Sequence, residues 1–344
     1  MKRAHTSIAF LLPAVLAMSQ AFAGAGNRAG TNGASELLIP VGTRDIAMGG
    51  STLSTASGVE ALFWNPAGTV LMKNSADLYI SHMSYIADIG VSYGAVSANV
   101  EGFGVLSLGL KYLAVDPILV TTTRDPEGTG QTFQPQFFTV GLSYARQLSE
   151  RIAVGITANL ISERLGDVSA TGLAFDVGVL YDNLASIRGL SIAVVAKNIG
   201  PQMQYEGTGL LTPATVADQN RPATLYQIQA ASFELPSAIH FGVGYKYQLS
   251  DETALLGSTA FQSSNFSDDE YKFGLELSFQ DLLYLRSGYS FAQREDEARE
   301  FLFGPSLGFG VHTALGNTEI SIDYAYRSLE TFDGNHVFSV KMGF

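Results

Sequence analysis

From residue 76 to the end of the 344-residue chain, apolar residues recur at every second position in one segment after another. Phe241, Val243, Tyr245, Tyr247 and Leu249 alternate with His240, Gly242, Gly244, Lys246 and Gln248. Phe273, Leu275, Leu277 and Phe279 alternate with Lys272, Gly274, Glu276, Ser278 and Gln280, and Ile322, Tyr324 and Tyr326 with Ser321, Asp323 and Arg327. A period of two belongs to a β-strand whose faces meet different surroundings. Fourteen such segments can be counted, at 76–85, 88–98, 102–115, 136–148, 151–163, 171–183, 190–199, 236–249, 252–263, 270–280, 281–292, 301–313, 317–327 and 335–344. An even count is what a closed bacterial barrel requires, and such barrels alternate short periplasmic turns with longer outer loops. The connections follow that rhythm: Asn99–Glu101, Ser149–Glu150, Ser250–Asp251 and Ala314–Asn317 are short, whereas 116–135, 164–170, 200–235, 264–269, 293–300 and 328–334 are mostly long. The predicted fold is all-β, a 14-stranded antiparallel transmembrane β-barrel with lipid outside and a polar interior. A soluble sandwich would also alternate. It would not explain Tyr144, Tyr181, Tyr247 and Tyr326 near strand ends, where a barrel carries its interfacial aromatic girdle.

The chain ends agree with an exported barrel. Lys2 and Arg3 precede the apolar run Ile8–Met18, and Ala21-Phe22-Ala23 forms an A-x-A site before Gly24, so residues 1–23 read as a signal peptide cleaved between Ala23 and Gly24. The run is too short to cross a bilayer as a helix, which takes about 17–25 residues. Removing Lys2 and Arg3 takes the net charge from −12 to −14, which argues against nucleic acid as a partner. With no Cys, disulfides, thiolate nucleophiles and Cys-based metal sites are excluded. In the last segment His336, Phe338, Val340, Met342 and Phe344 share one face and Val337, Ser339, Lys341 and Gly343 the other. A final strand closing on Phe344 resembles the C-terminal signal that the barrel assembly machinery reads in bacterial outer-membrane proteins. The expected location is the bacterial outer membrane, with outer-membrane lipid and lipopolysaccharide as surroundings.

Residues 24–75 fall outside the strand count and the barrel proper spans 76–344. This stretch is rich in Gly, Ala, Ser and Thr, then carries Met48-Gly49-Gly50 and Ala61-Leu62-Phe63-Trp64-Asn65-Pro66-Ala67-Gly68. Its Trp and Phe are unlike a floppy polar tail. A compact N-terminal hatch inside the lumen is expected, with one or two helical turns near 59–64 and a turn at Asn65-Pro66.

Those motifs, together with Lys197-Asn198-Ile199-Gly200-Pro201 ahead of Leu235-Pro236, resemble the PorV/PorQ family, a branch of the FadL-like outer-membrane barrels. The resemblance covers nearly the whole mature chain. It implies fourteen strands around an N-terminal hatch and divides on function. PorV belongs to the type IX secretion system, where it receives secreted cargo proteins and escorts them to other secretion components. FadL-type relatives pass hydrophobic small molecules, such as fatty acids or hydrocarbons, through a hatch and a lateral opening in the wall. The first role is the leading expectation from the resemblance and the second is its alternative. An apolar track from the outer mouth past the hatch to a break in a wall strand would favour the second.

No enzymatic constellation stands out, and no cofactor or metal is expected. Gly90-Val91-Ser92-Tyr93-Gly94 matches G-x-S-x-G but lies in a predicted strand, whereas a nucleophile elbow needs strand, turn and helix. His82, His240, His312 and His336 fall in four different segments without metal spacing. Lys111, Asp176, Lys197, Lys246, Lys272, Glu276, Arg286, Asp323, Arg327 and Lys341 are assigned to the lumen, because Lys or Arg facing lipid at the midplane costs about 2–4 kcal/mol. Some are expected to pair with Arg44, Asp45 and Glu60 of the hatch. Asp268-Asp269-Glu270 and Glu295-Asp296-Glu297 with Glu300 read as solvated acidic loops. The connection 200–235, with Met203, Tyr205, Leu210, Leu211 and Leu225, is too apolar for a linker and is expected to fold over the outer mouth or to present a protein-binding surface.

Overall fold

A computed structural model describes residues 30–215, 222–293 and 301–344; the predicted signal segment, its Ala23/Gly24 junction and the acidic run 295–300 lie outside them. Fourteen antiparallel strands form one closed ring: β1 (Ala76–Ser84), β2 (Gly90–Val100), β3 (Gly104–Ala114), β4 (Gln136–Gln147), β5 (Ile152–Leu165), β6 (Val168–Tyr181), β7 (Leu190–Ile199), β8 (Ala238–Gln248), β9 (Thr253–Ser264), β10 (Asp269–Phe279), β11 (Leu283–Gln293), β12 (Phe303–Leu315), β13 (Thr318–Leu329) and β14 (Asn335–Gly343). Each strand pairs with its chain neighbours, and β14 returns to β1 with Asp77 opposite Gly343 and Ser84 opposite His336. Closure leaves no open edge, which is why strands can stand in lipid. No described helix is long and apolar enough to cross a membrane.

The alternation places Ile80, Val96, Leu108, Leu142, Leu173, Leu275, Leu307 and Phe338 on an exposed apolar outer face. The count and register follow the sequence pattern, with one connection revised. The predicted loop 164–170 is largely strand, because β5 and β6 run on to a two-residue turn at Gly166-Asp167 in which Gly166 takes φ +60°.

The interior departs from a polar channel. Tyr79, Met83, Val91, Tyr93, Ala95, Leu113, Ala325 and Val337 point inward and are buried with Val41, Ile46, Ala47, Val59 and Leu62 from the segment before β1. That segment stands inside the ring as short helical pieces: a 3-10 turn at Ser35–Leu38, α1 (Thr43–Ala47), 3-10 turns at Thr52–Ser54 and Gly58–Glu60, α2 (Ala61–Trp64) and a 3-10 turn at Pro66–Leu71. The inner wall faces a protein core there, so apolar side chains are tolerated on both faces of β1 and β2.

Glycines let hatch and wall touch backbone to backbone. A Cβ at Gly288 would lie 2.1 Å from Gly49 N, one at Gly274 2.6 Å from Met48 O, and one at Gly155 2.4 Å from Pro66 C. Gly288→Val is therefore expected to unseat the hatch at a cost of about 1–3 kcal/mol. Limited proteolysis in detergent should cut its hatch sooner than that of the parent chain, whereas Gly94→Val, which meets nothing within 4 Å, should behave as the parent.

Candidate functional site

The motif residues of the hatch hold it together. Trp64 Nε1 donates to Val41 O at 2.9 Å, Asn65 Nδ2 donates to Leu53 O at 3.0 Å, and Asn65 Oδ1 accepts from Ala67 N at 3.1 Å, capping the turn that Pro66 opens. Gly49 and Gly50 take positive φ beyond α1, and a Cβ at Gly68 would lie 2.6 Å from Ala56 O. Met48 is fully buried.

A chain of charges fastens this unit to one side of the wall. Arg44 grips Glu276 with two bonds, Nε to Oε2 at 2.8 Å and Nη2 to Oε1 at 3.0 Å. Arg286 Nε donates to the same Oε2 at 2.7 Å while its Nη1 pairs with Asp323 Oδ1 at 2.5 Å, and His312 Nε2 stands 3.3 Å from that oxygen. Asp45 accepts from Thr52 within the hatch, and no ion pair joins it to a wall cation among the described residues. Glu60 lies 3.9 Å from Lys341, which also stands 3.8 Å from Asp77. Lys272 donates to Gln262 at 2.6 Å and pairs with Glu270 at 3.1 Å, drawing one residue of the acidic loop run into an ion pair. Arg327 binds Asn335 through Nε and Nη2 and stacks on Phe303 at 3.9 Å. Lys246 shares the inward parity of His240 and lines, with Lys341, Arg44 and Glu276, a polar vestibule of about 710 Å3, where it is exposed. Its strand ends there at a short turn, so water rather than the core receives the ammonium.

Opposite, Lys111 Nζ donates to Glu36 O at 2.7 Å and Ile39 O at 3.2 Å, and Lys197 Nζ donates to Phe63 O at 2.7 Å while resting 3.7 Å over the Phe63 ring. Asp176 accepts from Asn159 Nδ2 at 2.9 Å and from Asn198 N at 2.7 Å.

The last bond marks the feature on which the site turns. Strands β6 and β7 slip register between Phe175 and Val177, and Asn198 takes φ +57°. Gly200 then presses on Leu173 O, where a Cβ would lie 2.1 Å away, and Pro201 supplies no N–H. The chain leaves the ladder here. Ladder pairing along β6 resumes only where Glu206 meets Ser169, so residues 170–174 have no ladder partner on that side. Leu235 and Pro236 return on the other flank, with Pro236 O accepting from Asn198 Nδ2 at 3.0 Å. The Lys197–Pro201 and Leu235-Pro236 motifs thus build a break in the wall. Behind it Met203, Leu235, Ile161, Ala170 and Ala174 pack with Ala34 and Leu37 of the hatch, flanked by Tyr205 and Phe233. Part of the 200–235 connection therefore does fold inward over the mouth. Above this cluster Tyr205 donates to Glu163, a buried inward residue that the predicted strand limit at 163 hid although its odd-numbered parity with Ala153, Thr157 and Asn159 marked it. The G-x-S-x-G string lies within β2, where Ser92 Oγ stands 3.0 Å from His82 Nδ1 on the neighbouring strand.

Solved structures share this fold. The CymD monoaromatic hydrocarbon channel aligns with a TM-score of 0.57 at 13% identity, over 89% of this chain and 98% of its own. The Pseudomonas putida toluene transporter TodX aligns at 0.55 and 13%, over 88% and 96%, and a Pseudomonas aeruginosa FadL homologue at 0.51 and 12%, over 89% and 98%. The fold is that of the FadL-type outer-membrane channels. With the apolar belt, it sets the chain in the bacterial outer membrane. No family model matches the sequence, and no curated protein matches it.

Two outcomes follow from the charges. Glu276→Gln strands Arg44 beside Arg286, and loss of one partner in a buried network costs about 3–5 kcal/mol. The denaturation midpoint in detergent should drop accordingly, whereas Lys246→Ala at the water-filled rim should leave it unchanged. Burial and the neighbouring Glu163 push the Glu36 carboxyl up from 4.5 to about 8, with Lys111 and Tyr205 the other polar groups facing it. The folded state then holds a proton that the unfolded chain has released. This stabilisation is full below 4.5 and lost as pH rises to about 8. Protease should reach the hatch faster at about pH 8.5 than at about pH 5.5, and Glu36→Gln should flatten the difference.

Proposed function

We propose that the protein passes small uncharged hydrophobic molecules through the outer membrane and lets them leave sideways through the β6–β7 break. The observation that carries this reading is the coincidence of the break with the buried apolar cluster of Met203, Leu235, Ile161, Ala170, Ala174 and Leu37. In this reading the cargo would pass the outer end of the hatch through this packed cluster and leave where the β6–β7 ladder is interrupted. Met203 closes it by lying over Gly172, whose Cβ would fall 2.5 Å from Met203 Cγ. The fold neighbours with named cargo carry a monoaromatic hydrocarbon and toluene, which supports the same class. Neutral cargo is preferred over fatty acids because Glu36 and Glu163 stand together in a buried setting that already holds the Glu36 carboxyl in its protonated form and would likewise disfavour an ionised cargo carboxylate.

Export docking of the PorV type ranks second. One feature favours it: Leu225, Ile228, Ile118 and Leu119 stand exposed on outer-loop hairpins.

The chain's lack of Cys makes the test simple. Gly172→Cys with Met203→Cys should form a disulfide that pins the loop over the break. Uptake of radiolabelled toluene by cells carrying the oxidised variant should fall to the level of cells lacking the protein and recover on reduction. Equal uptake in both redox states would refute the sideways route.

A further inference from the structure

A second, smaller space lies on the hatch side of the break. It measures about 40 Å3, and a space of that size has room for about three water molecules by the usual one-probe minimum of about 10–15 Å3 each. Its apolar floor is Leu62 and Phe63, and its walls are Lys111 from β3, Thr139 from β4, Thr157 from β5 and Lys197 from β7. Gly109 and Gly141 line it too, where any larger residue would take up room.

Charge does not balance around this space. In their ammonium forms Lys111 and Lys197 contribute two positive charges and Asp176 one negative, the Glu36 carboxyl that also faces Lys111 holds its proton below about pH 8, and both oxygens of Asp176 are already engaged by Asn159 and Asn198. Among the described residues each ammonium donates only to backbone carbonyls, Glu36 and Ile39 for Lys111 and Phe63 for Lys197, and no ion pair reaches either one. Both side chains are at least nine-tenths buried. A buried charge without a counterion costs several kcal/mol. The hydroxyls of Thr139 and Thr157, also buried, line the same space with no hydrogen-bond partner among the described residues. Ammonium protons and free hydroxyls that converge on a small hole are the donor set of an anion site.

We infer that this cavity binds one halide-sized monovalent anion, held by Lys111, Lys197, Thr139 and Thr157, which locks the hatch to the wall beside the β6–β7 break. The anion would neutralise the excess positive charge and satisfy both hydroxyls. It would join the hatch carbonyls of Glu36 and Phe63, through the two lysines, to strands β3 to β7. The site is independent of the cargo reading, since no step of transport passes through it.

The test is to purify and crystallise the full chain with sodium bromide in place of chloride and to locate bromide by its anomalous scattering. A bromide peak in the cavity between the two lysine ammoniums is expected. A melting midpoint several degrees higher in chloride than in gluconate, which is too large to enter, is expected with it. Thr139→Val with Thr157→Val keeps the shape and removes only the hydroxyls; it should lower bromide occupancy and shrink the chloride-dependent shift. Should that variant fail to fold, the scattering from the parent chain still decides. Water in place of bromide, or equal melting in chloride and gluconate, would overturn the inference. Toluene uptake that is abolished by the oxidised Gly172→Cys, Met203→Cys double variant while bromide remains bound would separate the anion site from the transport reading.

Discussion

In a bilayer every backbone N–H and C=O must find a partner within the protein, and that requirement governs this molecule. It closes fourteen strands into a ring by pairing β14 with β1. It also makes the β6–β7 slip costly unless something covers the freed segment 170–174. The structure covers it from inside, with Met203 over Gly172 and Gly200 against Leu173, rather than from the lipid side. The buried apolar cluster lies directly behind this break.

The hatch is held by two kinds of contact that behave differently. Where wall glycines face it, as at Gly155, Gly274 and Gly288, main chains meet at van der Waals distance and leave no slack. Where charges face it, the Arg44–Glu276–Arg286–Asp323 chain trades desolvation against close, directed bonds. The outer end is different again, since Glu36, Glu163 and Tyr205 form a carboxyl and phenol cluster beside an apolar patch.

Much of this was legible from residue order. Strand count, register faces and the outward belt follow from period two, because lipid outside and protein or water inside impose opposite demands on adjacent residues. The inward assignment of Glu276, Arg286 and Asp323 follows from the same parity. What parity could not show is that the lumen is filled: Tyr93 and Val91 point inward because the hatch makes that space a core. Parity did mark Glu163 as inward, although it sits at the predicted end of its segment, but it could not reveal that Gly166 closes a tight turn in place of a loop.

The sequence by itself therefore determined a fourteen-stranded barrel, an N-terminal segment of different character and a set of charges kept away from lipid. These are local facts, since each depends on neighbours two residues away and on the solvent each face meets. Only the tertiary structure decided that Lys197–Pro201 and Leu235-Pro236 build a break in the wall, that Arg44 reaches Glu276, and that Lys111 and Lys197 share one cavity. Those residues are far apart in the chain, and their chemistry comes from the cost of burying charge and backbone next to partners that only ring closure brings within reach.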